Sequence, residues 1–444
     1  MVLLATDAAY RNKIARAVDW NTVRGLTTPR SFGINAFHGF VPKTTNDPSY
    51  QRNMAYLRCG FVRYHNSGML QDSHIDDGLV DEKNRRWDAA KVKQALTPIF
   101  SQKPERLVCI NHFPSWMITK GSNLLNADQM DAYAAFCADL VRIVNKDARL
   151  GVRYWEVTNE KDDSYFTAFH TNGGYGGLQD PAKPDHIEEL ITIYNKCATA
   201  MKRVDPTILV GGPAATRADL APFYTRFLHG TAAHLDFYSF HWYATGVRET
   251  TDAEIYASAQ DSGKYVRAVV AALQKESPKR RVPVFLDEYN ISWTWETNDP
   301  RMTNQKGGVF DALVMIAAAE NGADGTAAWN DRDGIYGKMD YENHLRPAAA
   351  VFRLFNTFLV GKRVAVGTDD AKAVAPFAIV NGARLRSLLL VNRSDRLQTV
   401  AYARGATSLT RFEVTDVLRT LPLVKPSDPL VLPAHSVTLF NAPQ

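Results

Sequence analysis

Eight short β-type runs recur along this chain with longer stretches between them, and this alternation leaves few folds open. The runs are SFGINAF (31–37), FVRYH (61–65), RLVCINH (106–112), YWEVTNE (154–160), ILVGGP (208–213), FYSFHWY (237–243), VFLDEYN (284–290) and GTAAWND (325–331). Between them, 128–145, 187–204, 262–276 and 307–322 carry apolar residues at helical spacing. Asp128 reads as an N-cap or first-turn acid, and Asp205-Pro206 as a helix stop. Strands alternating with helices imply parallel strands joined by crossovers, and eight such units point to a closed (β/α)8 TIM barrel. An open doubly wound sheet is the alternative, and no GxGxxG follows a strand to support it.

Past residue 360 the helical period disappears. VAPFAIVNG, RLRSLLLVNRS, QTVAYARG, TRFEVTDVL, PLVLPA and HSVTLFNA are short β-type runs separated by turn residues. They predict a small antiparallel β-sandwich over 361–444, after a barrel over 26–360. The segment 1–25 is ambiguous and is expected to pack on the sandwich. A length of 444 residues suits one large domain and one small one.

Composition excludes several classes. The net charge of +5 comes without any Lys/Arg-rich run, so nucleic-acid binding is not indicated. A mildly basic surface is compatible with an acidic polymer, although the simpler reading gives it no consequence. No apolar run reaches the roughly 18 residues of a membrane span. The start, MVLLATDAAYRNK, has too short an apolar run for an intact signal peptide. The expectation is a cytoplasmic protein, or a periplasmic or secreted one whose leader has been removed. Cys59, Cys109, Cys137 and Cys197 form neither a CxxC pair nor a Cys/His cluster at metal-ligand spacing, and read as buried thiols. No metal and no cofactor is expected, and oligomeric state is not readable. Several aromatics, among them Trp116, Trp242, Trp293, Trp295 and Trp329, fall at segment ends. Exposed aromatic faces of this kind stack on sugar rings, whereas buried ones simply fill a core.

In a barrel of this kind, chemistry is carried at the C-terminal ends of the strands. Those ends supply His38, Arg63 with His65, Asn111 with His112, Asn159 with Glu160, His241 with Tyr243, Asp287 with Glu288, and Trp329 with Asn330. Apolar strands deliver two carboxylic acids, Glu160 on the fourth and Glu288 on the seventh. They are far apart in sequence, so only barrel closure brings them together. Two carboxyl groups flanking a sugar cleave a glycosidic bond when one is protonated and the other ionised. Asp287 adjoins Glu288, but strand neighbours point to opposite faces, so only one is expected to face the site. Glu156 lies deeper along the fourth strand and is expected to be buried and structural.

Five ordered stretches carry a resemblance: NHFPSWM (111–117), WEVTNE (155–160), VDPTILVGGPA (204–214), DFYSFHWY (236–243) and LDEYNISW (286–293). Over roughly 30–360 the chain resembles clan A of the glycoside hydrolases. Within the clan it is similar to family 39, which includes β-xylosidases, α-L-iduronidases and bacterial exopolysaccharide endo-hydrolases. The resemblance implies a retaining double displacement without cofactor, with Glu160 as acid/base and Glu288 as nucleophile. It further implies that Asn159 binds the sugar 2-hydroxyl and that Tyr243 or His241 orients Glu288. Trp329 would floor the subsite, with Arg63, His112, Trp116 and Trp293 as further substrate-binding residues. The family pattern usually has Pro after the acid/base. Here Lys161 stands there, followed by Asp162 and Asp163, whose charge would raise the Glu160 pKa.

The expected substrate is a polysaccharide or oligosaccharide, cleaved internally in an exopolysaccharide or cell-wall glycan; exo-action of the β-xylosidase kind is the rival. Two other classes stay open: a carbohydrate-binding protein on a hydrolase scaffold, and a metal-dependent hydrolase using His65, His112 and His241. The loop FHTNGGYGGLQDPAKPD (169–185) lacks the Gly-Lys-Ser/Thr ending of a phosphate loop and is expected to face substrate.

Overall fold

The computed structural model describes residues 11–12, 18–37, 42–65, 78–100, 103–118, 123–166, 185–368, 370–381, 385–400, 410–421 and 430–443. His38 and all but Asp185 of the loop 169–185 lie outside the described residues. Eight strands close into one parallel barrel in chain order. They are β1 (Gly33–Ala36), β2 (Phe61–His65), β3 (Glu105–Cys109), β4 (Tyr154–Glu156), β5 (Leu209–Ala215), β6 (Tyr238–Thr245), β7 (Val284–Ser292) and β8 (Gly325–Ala328). Each falls on one of the eight expected runs, so the barrel reading holds and the open-sheet alternative does not.

The connecting helices follow the apolar period, but two start earlier than it suggests. The helix Asp252–Glu276 begins ten residues before the clear pattern, because Thr251 and Glu254 form a reciprocal capping box. The helix Gln305–Asn321 is capped by the Asn304 side chain. Asp128 instead sits in a short 3-10 turn, Ala127–Gln129, ahead of the helix Met130–Val141. The helices Pro48–Leu57, Ala89–Phe100, Ala221–Thr231 and Pro347–Phe358 complete the outer ring without a long apolar signature to announce them.

The barrel interior is layered. Phe61, Leu107, Tyr154, Phe237 and Phe285 fill its N-terminal end. One glycine is required there: a Cβ on Gly211 would lie 2.4 Å from the Phe237 ring. The next layer toward the C-terminal mouth is polar and buried, built from Asn35, Arg63, Glu156 and Asp287.

A seven-stranded sheet packs on one side of the barrel, in the order Leu418–Leu421, Thr410–Val414, Ser436–Pro443, Leu385–Asn392, Val374–Val380, Gly361–Ala365 and Asp19–Thr27. The last of these strands comes from before the barrel and pairs antiparallel with Gly361–Ala365. A three-stranded sheet of Arg11–Asn12, Gln398–Val400 and Leu430–Leu432 accompanies it. Side-chain alternation splits the large sheet cleanly. Phe377, Ile379, Leu389 and Val391 join the barrel core, where Phe377 stacks on Phe355. Val374, Ala378, Leu388 and Leu390 face the other way and pack with Val400 and Leu432 of the small sheet. Among the described residues no helix is long and apolar enough to cross a membrane.

Candidate active site

At the mouth of the barrel, the ends of all eight strands surround a cavity of about 450 Å³. Glu160 and Glu288 both line it, and a carboxylate oxygen of each lies within 4.8 Å of the other. Glu160 follows β4 with φ at +53°, in the left-handed region that non-glycine residues rarely occupy. Its backbone N–H donates to the Ala214 carbonyl at 2.9 Å, which fixes this turn against β5.

Glu288 is held from two sides. The Tyr243 hydroxyl donates to Oε1, and Arg63 Nη1 lies 3.3 Å from Oε2. Burial raises the Glu288 pKa and the nearby Glu160 adds to this, while the guanidinium and the tyrosine hydroxyl favour the ionised form. Glu160 lacks such donors. Its side chain keeps 36% of its surface open to the cavity, but the surrounding walls crowd out bulk water. Burial, and then the charge of Asp163, raise its pKa to about 7. The two acids therefore sit in opposed surroundings: one receives a cation and a hydroxyl, the other keeps its proton.

His241 lies between them. Its Nδ1 is 2.7 Å from Glu160 Oε1, and its Nε2 is 3.7 Å from both Asp287 Oδ1 and Glu288 Oε2. Burial pushes its pKa down to about 4, so the ring is neutral near pH 7. The hydrogen bond between Nδ1 and Oε1 ties the ring to Glu160, and Nε2 faces the two buried acids.

Arg63 is fully buried under the cavity floor. Besides Glu288, it donates to Glu156 Oε2 at 2.8 Å, Asn35 Oδ1 at 2.9 Å and Asn159 Oδ1 at 2.6 Å. Because Asn159 accepts through its oxygen, its amide N–H groups are left to face the cavity. Glu156 is buried and structural, as expected, but Asp287 overturns the alternation argument. Asp287 and Glu288 both point into the barrel, because the β6–β7 register jumps from Phe240↔Leu286 to His241↔Glu288. That bulge skips Asp287 and turns it inward, to 3.4 Å from Arg63 Nε. One guanidinium cannot neutralise three buried carboxylates. Burial and the negative Glu156 accordingly drive the Asp287 pKa well up, which favours its protonated form.

Of the residues singled out from sequence, Asn159, Glu160, Tyr243, Glu288, His112, Trp293 and Trp329 line the one cavity. Trp329 forms a wall with Phe37 and His65, at ring distances of 4.8 and 4.7 Å. Trp293 stands at the rim, 41% exposed. Arg63 is a correction as a direct sugar ligand, since it is wholly buried against the carboxylates; His241, also buried, faces Glu288 together with Tyr243. Trp116 is a correction of place. The 3-10 turn Ser115–Met117 points Met117 into the core and lays Trp116 edge-on against Phe136, away from the cavity. His65, His112 and His241 do not gather as a ligand set among the described residues; His241 groups instead with the two glutamates. The sequence reading passed over Phe37, Asn123, Thr216 and Tyr336 as cavity-lining residues. Phe37 ends the first run and was open to the strand-end argument, whereas the other three sit in loops with no periodic signal.

Residues 177–330 match the family model for glycosyl hydrolases family 39. The chain resembles the clan A glycoside hydrolases, family 39 among them. A β-xylosidase of Caldicellulosiruptor saccharolyticus is 32% identical over 230 residues, 48% of this chain and 46% of that protein. The chain thus spans about half the length of the curated relative it matches. Solved structures extend the likeness of fold over nearly the whole chain. A family 51 α-L-arabinofuranosidase from Bifidobacterium longum superposes with a TM-score of 0.70 at 15% identity, covering 99% of this chain and 100% of that one. A family 39 β-xylosidase from Caulobacter crescentus gives 0.66 at 16% identity, covering 96% and 99%.

The buried charge network makes a stability prediction. Arg63→Met leaves Glu156 and Glu288 without their cation and is expected to cost about 3–5 kcal/mol, read from urea unfolding. A cost near zero would mean that these carboxyls are already neutral and need no cation.

Proposed function

We propose that this protein is a retaining glycoside hydrolase in which Glu288 attacks the anomeric carbon and Glu160 serves as acid and then base. The observation that carries the reading is the approach of the two carboxylates to within 4.8 Å. Retaining enzymes hold their carboxyl groups about 5–5.5 Å apart, whereas inverting ones need about 6.5–9.5 Å to admit a water. The surroundings assign the roles. Glu288 receives Arg63 and Tyr243, which favour the ionised nucleophile, and Glu160 keeps its proton near neutral pH.

In the first step Glu160 donates its proton to the leaving oxygen as Glu288 Oε2 bonds to C1. In the second, the ionised Glu160 takes a proton from water, which attacks C1 and releases Glu288. His241 holds Glu160 Oε1 through Nδ1 and so orients the carboxyl for both steps. Asn159, its oxygen fixed by Arg63, offers an N–H to the sugar hydroxyl beside the nucleophile. Trp329 supplies an apolar wall for the sugar face. The unlike surroundings of the two facing acids favour this reading over a binding-only protein on the same scaffold.

The substrate we favour is a glycan chain cut internally. Trp293 and Trp295 stand 41% and 45% exposed at the cavity rim, where they give further sugar units a stacking surface. The second reading, exo-action on a terminal xylose-like sugar, is favoured by the β-xylosidase relative. Product analysis on a linear xylan separates them. Internal cleavage releases a ladder of oligomers early, and terminal cleavage releases monosaccharide alone.

Glu288→Gln is expected to remove turnover of aryl glycosides while the circular dichroism spectrum is kept. Substantial residual turnover would overturn the assignment. Glu160→Ala is expected to lose about 10²–10⁴-fold on substrates with poor leaving groups, with partial rescue of activated aryl glycosides by azide.

The proton donor must be protonated, so kcat/KM should fall as pH rises through about 7. Asp163→Asn removes a negative charge that disfavours the Glu160 carboxylate, and so should move this limb to lower pH. A limb that stays in place or moves upward contradicts the assigned donor.

A further inference from the structure

The cavity wall formed by the end of β4 holds a buried cation. Lys161 lines the cavity and is only 8% exposed, yet among the described residues no carboxylate lies within ion-pair distance of its Nζ. Its Nζ lies 5.3 Å from the centroid of the Phe113 ring, while Asp163 and Glu160 act on it from beyond ion-pair distance. Buried lysines are ordinarily paired, because stripping water from an unpaired ammonium costs several kcal/mol. Burial lowers the Lys161 pKa, as that cost requires. In the same wall Asn111, 2% exposed, keeps a carboxamide oxygen without a hydrogen-bond partner. A cavity wall with a buried cation and, among the described residues, no carboxylate at ion-pair distance from it suits a ligand that carries an anion.

The barrel places this wall relative to the reaction. β4 is the fourth strand and β8 the eighth of a closed ring of eight, so Lys161 stands across the mouth from Trp329. If the sugar that forms the covalent intermediate rests on the Trp329 wall, the group beyond Glu160 is the leaving group. We infer that Lys161 binds a carboxylate on the leaving-group side, so that the substrate is an acidic glycan with a uronic acid unit next to the cleaved bond. Asp163 lines the same wall and disfavours a doubly charged group such as a phosphate ester, which leaves a singly charged carboxylate as the match. This inference rests on the hydrolase reading for its orientation, but the Lys161 site itself is testable by binding alone.

The probes are D-glucuronate and its uncharged methyl ester, titrated into the full-length protein and followed by ligand-observed NMR. The wild-type protein should bind the acid about tenfold or more tightly than the ester, the scale of one charge-assisted contact in a dry site. Lys161→Met should abolish the preference, and Lys161→Arg, which keeps the charge, should retain part of it. Equal binding of the two probes, no binding of either, or a preference that survives in Lys161→Met overturns the inference. Turnover of neutral glycosides without a glucuronate preference defeats this proposal and leaves the hydrolase reading standing. A glucuronate preference with no turnover of any glycoside supports the Lys161 site and defeats the hydrolase reading.

Discussion

The Arg63 guanidinium is sealed from solvent and donates at once to Asn35, Glu156, Asn159 and Glu288. Those partners come from the first, fourth and seventh strands of the barrel, so one planar group ties together parts of the chain that meet only on closure. Its five donors point in fixed directions, which a lysine in its place could not reproduce. The remaining geometry of the mouth follows from this. Asn159 turns its N–H groups outward, Glu288 is aimed upward with its charge supported, and the surplus acid Asp287 is obliged to keep a proton. Buried charge of this density is a poor source of stability. Its value lies in holding Glu288 in one position.

The second determinant is the contrast between the two glutamates. Both are enclosed by the same cavity, and burial raises both. What separates them is whom they face. Glu288 has a permanent cation and a hydroxyl, while Glu160 has a neutral imidazole and the repulsion of Asp163. Two identical side chains thereby acquire the unlike surroundings that the proposed double displacement asks of its acid and its nucleophile. Lys161, beside Glu160, pulls the other way and favours its ionised form. A carboxylate bound at Lys161 would cancel that pull, so an acidic substrate would itself help to keep the donor protonated.

Much of this was legible in the sequence because parallel barrel strands are short, apolar and regularly spaced. The eight runs each became a strand, and the two acids lie on the strands where the pattern put them. What failed did so for local reasons. Alternation predicted one inward side chain from Asp287-Glu288, and a bulge opposite Phe240 and His241 made it two. Trp116 follows a polar strand end, yet a 3-10 turn carries it to the flank. Arg63 was rightly placed at a strand end but wrongly given to the sugar, because sequence does not show depth within a barrel. Asn123, Thr216 and Tyr336 come from loops whose paths depend on tertiary contacts, and no periodicity marks them.

The central claim is that Glu288 forms a covalent bond to the sugar. Intact-protein and peptide mass spectrometry after incubation with 2-deoxy-2-fluoro-β-D-xylosyl fluoride tests it most directly. The fluorine slows both steps, and the reactive leaving group lets the intermediate accumulate. The account predicts a mass gain of one fluoroglycosyl unit, carried by the peptide that contains Glu288. A label on Glu160 or Asp287, or release of a product of inverted anomeric configuration with no adduct, would contradict it.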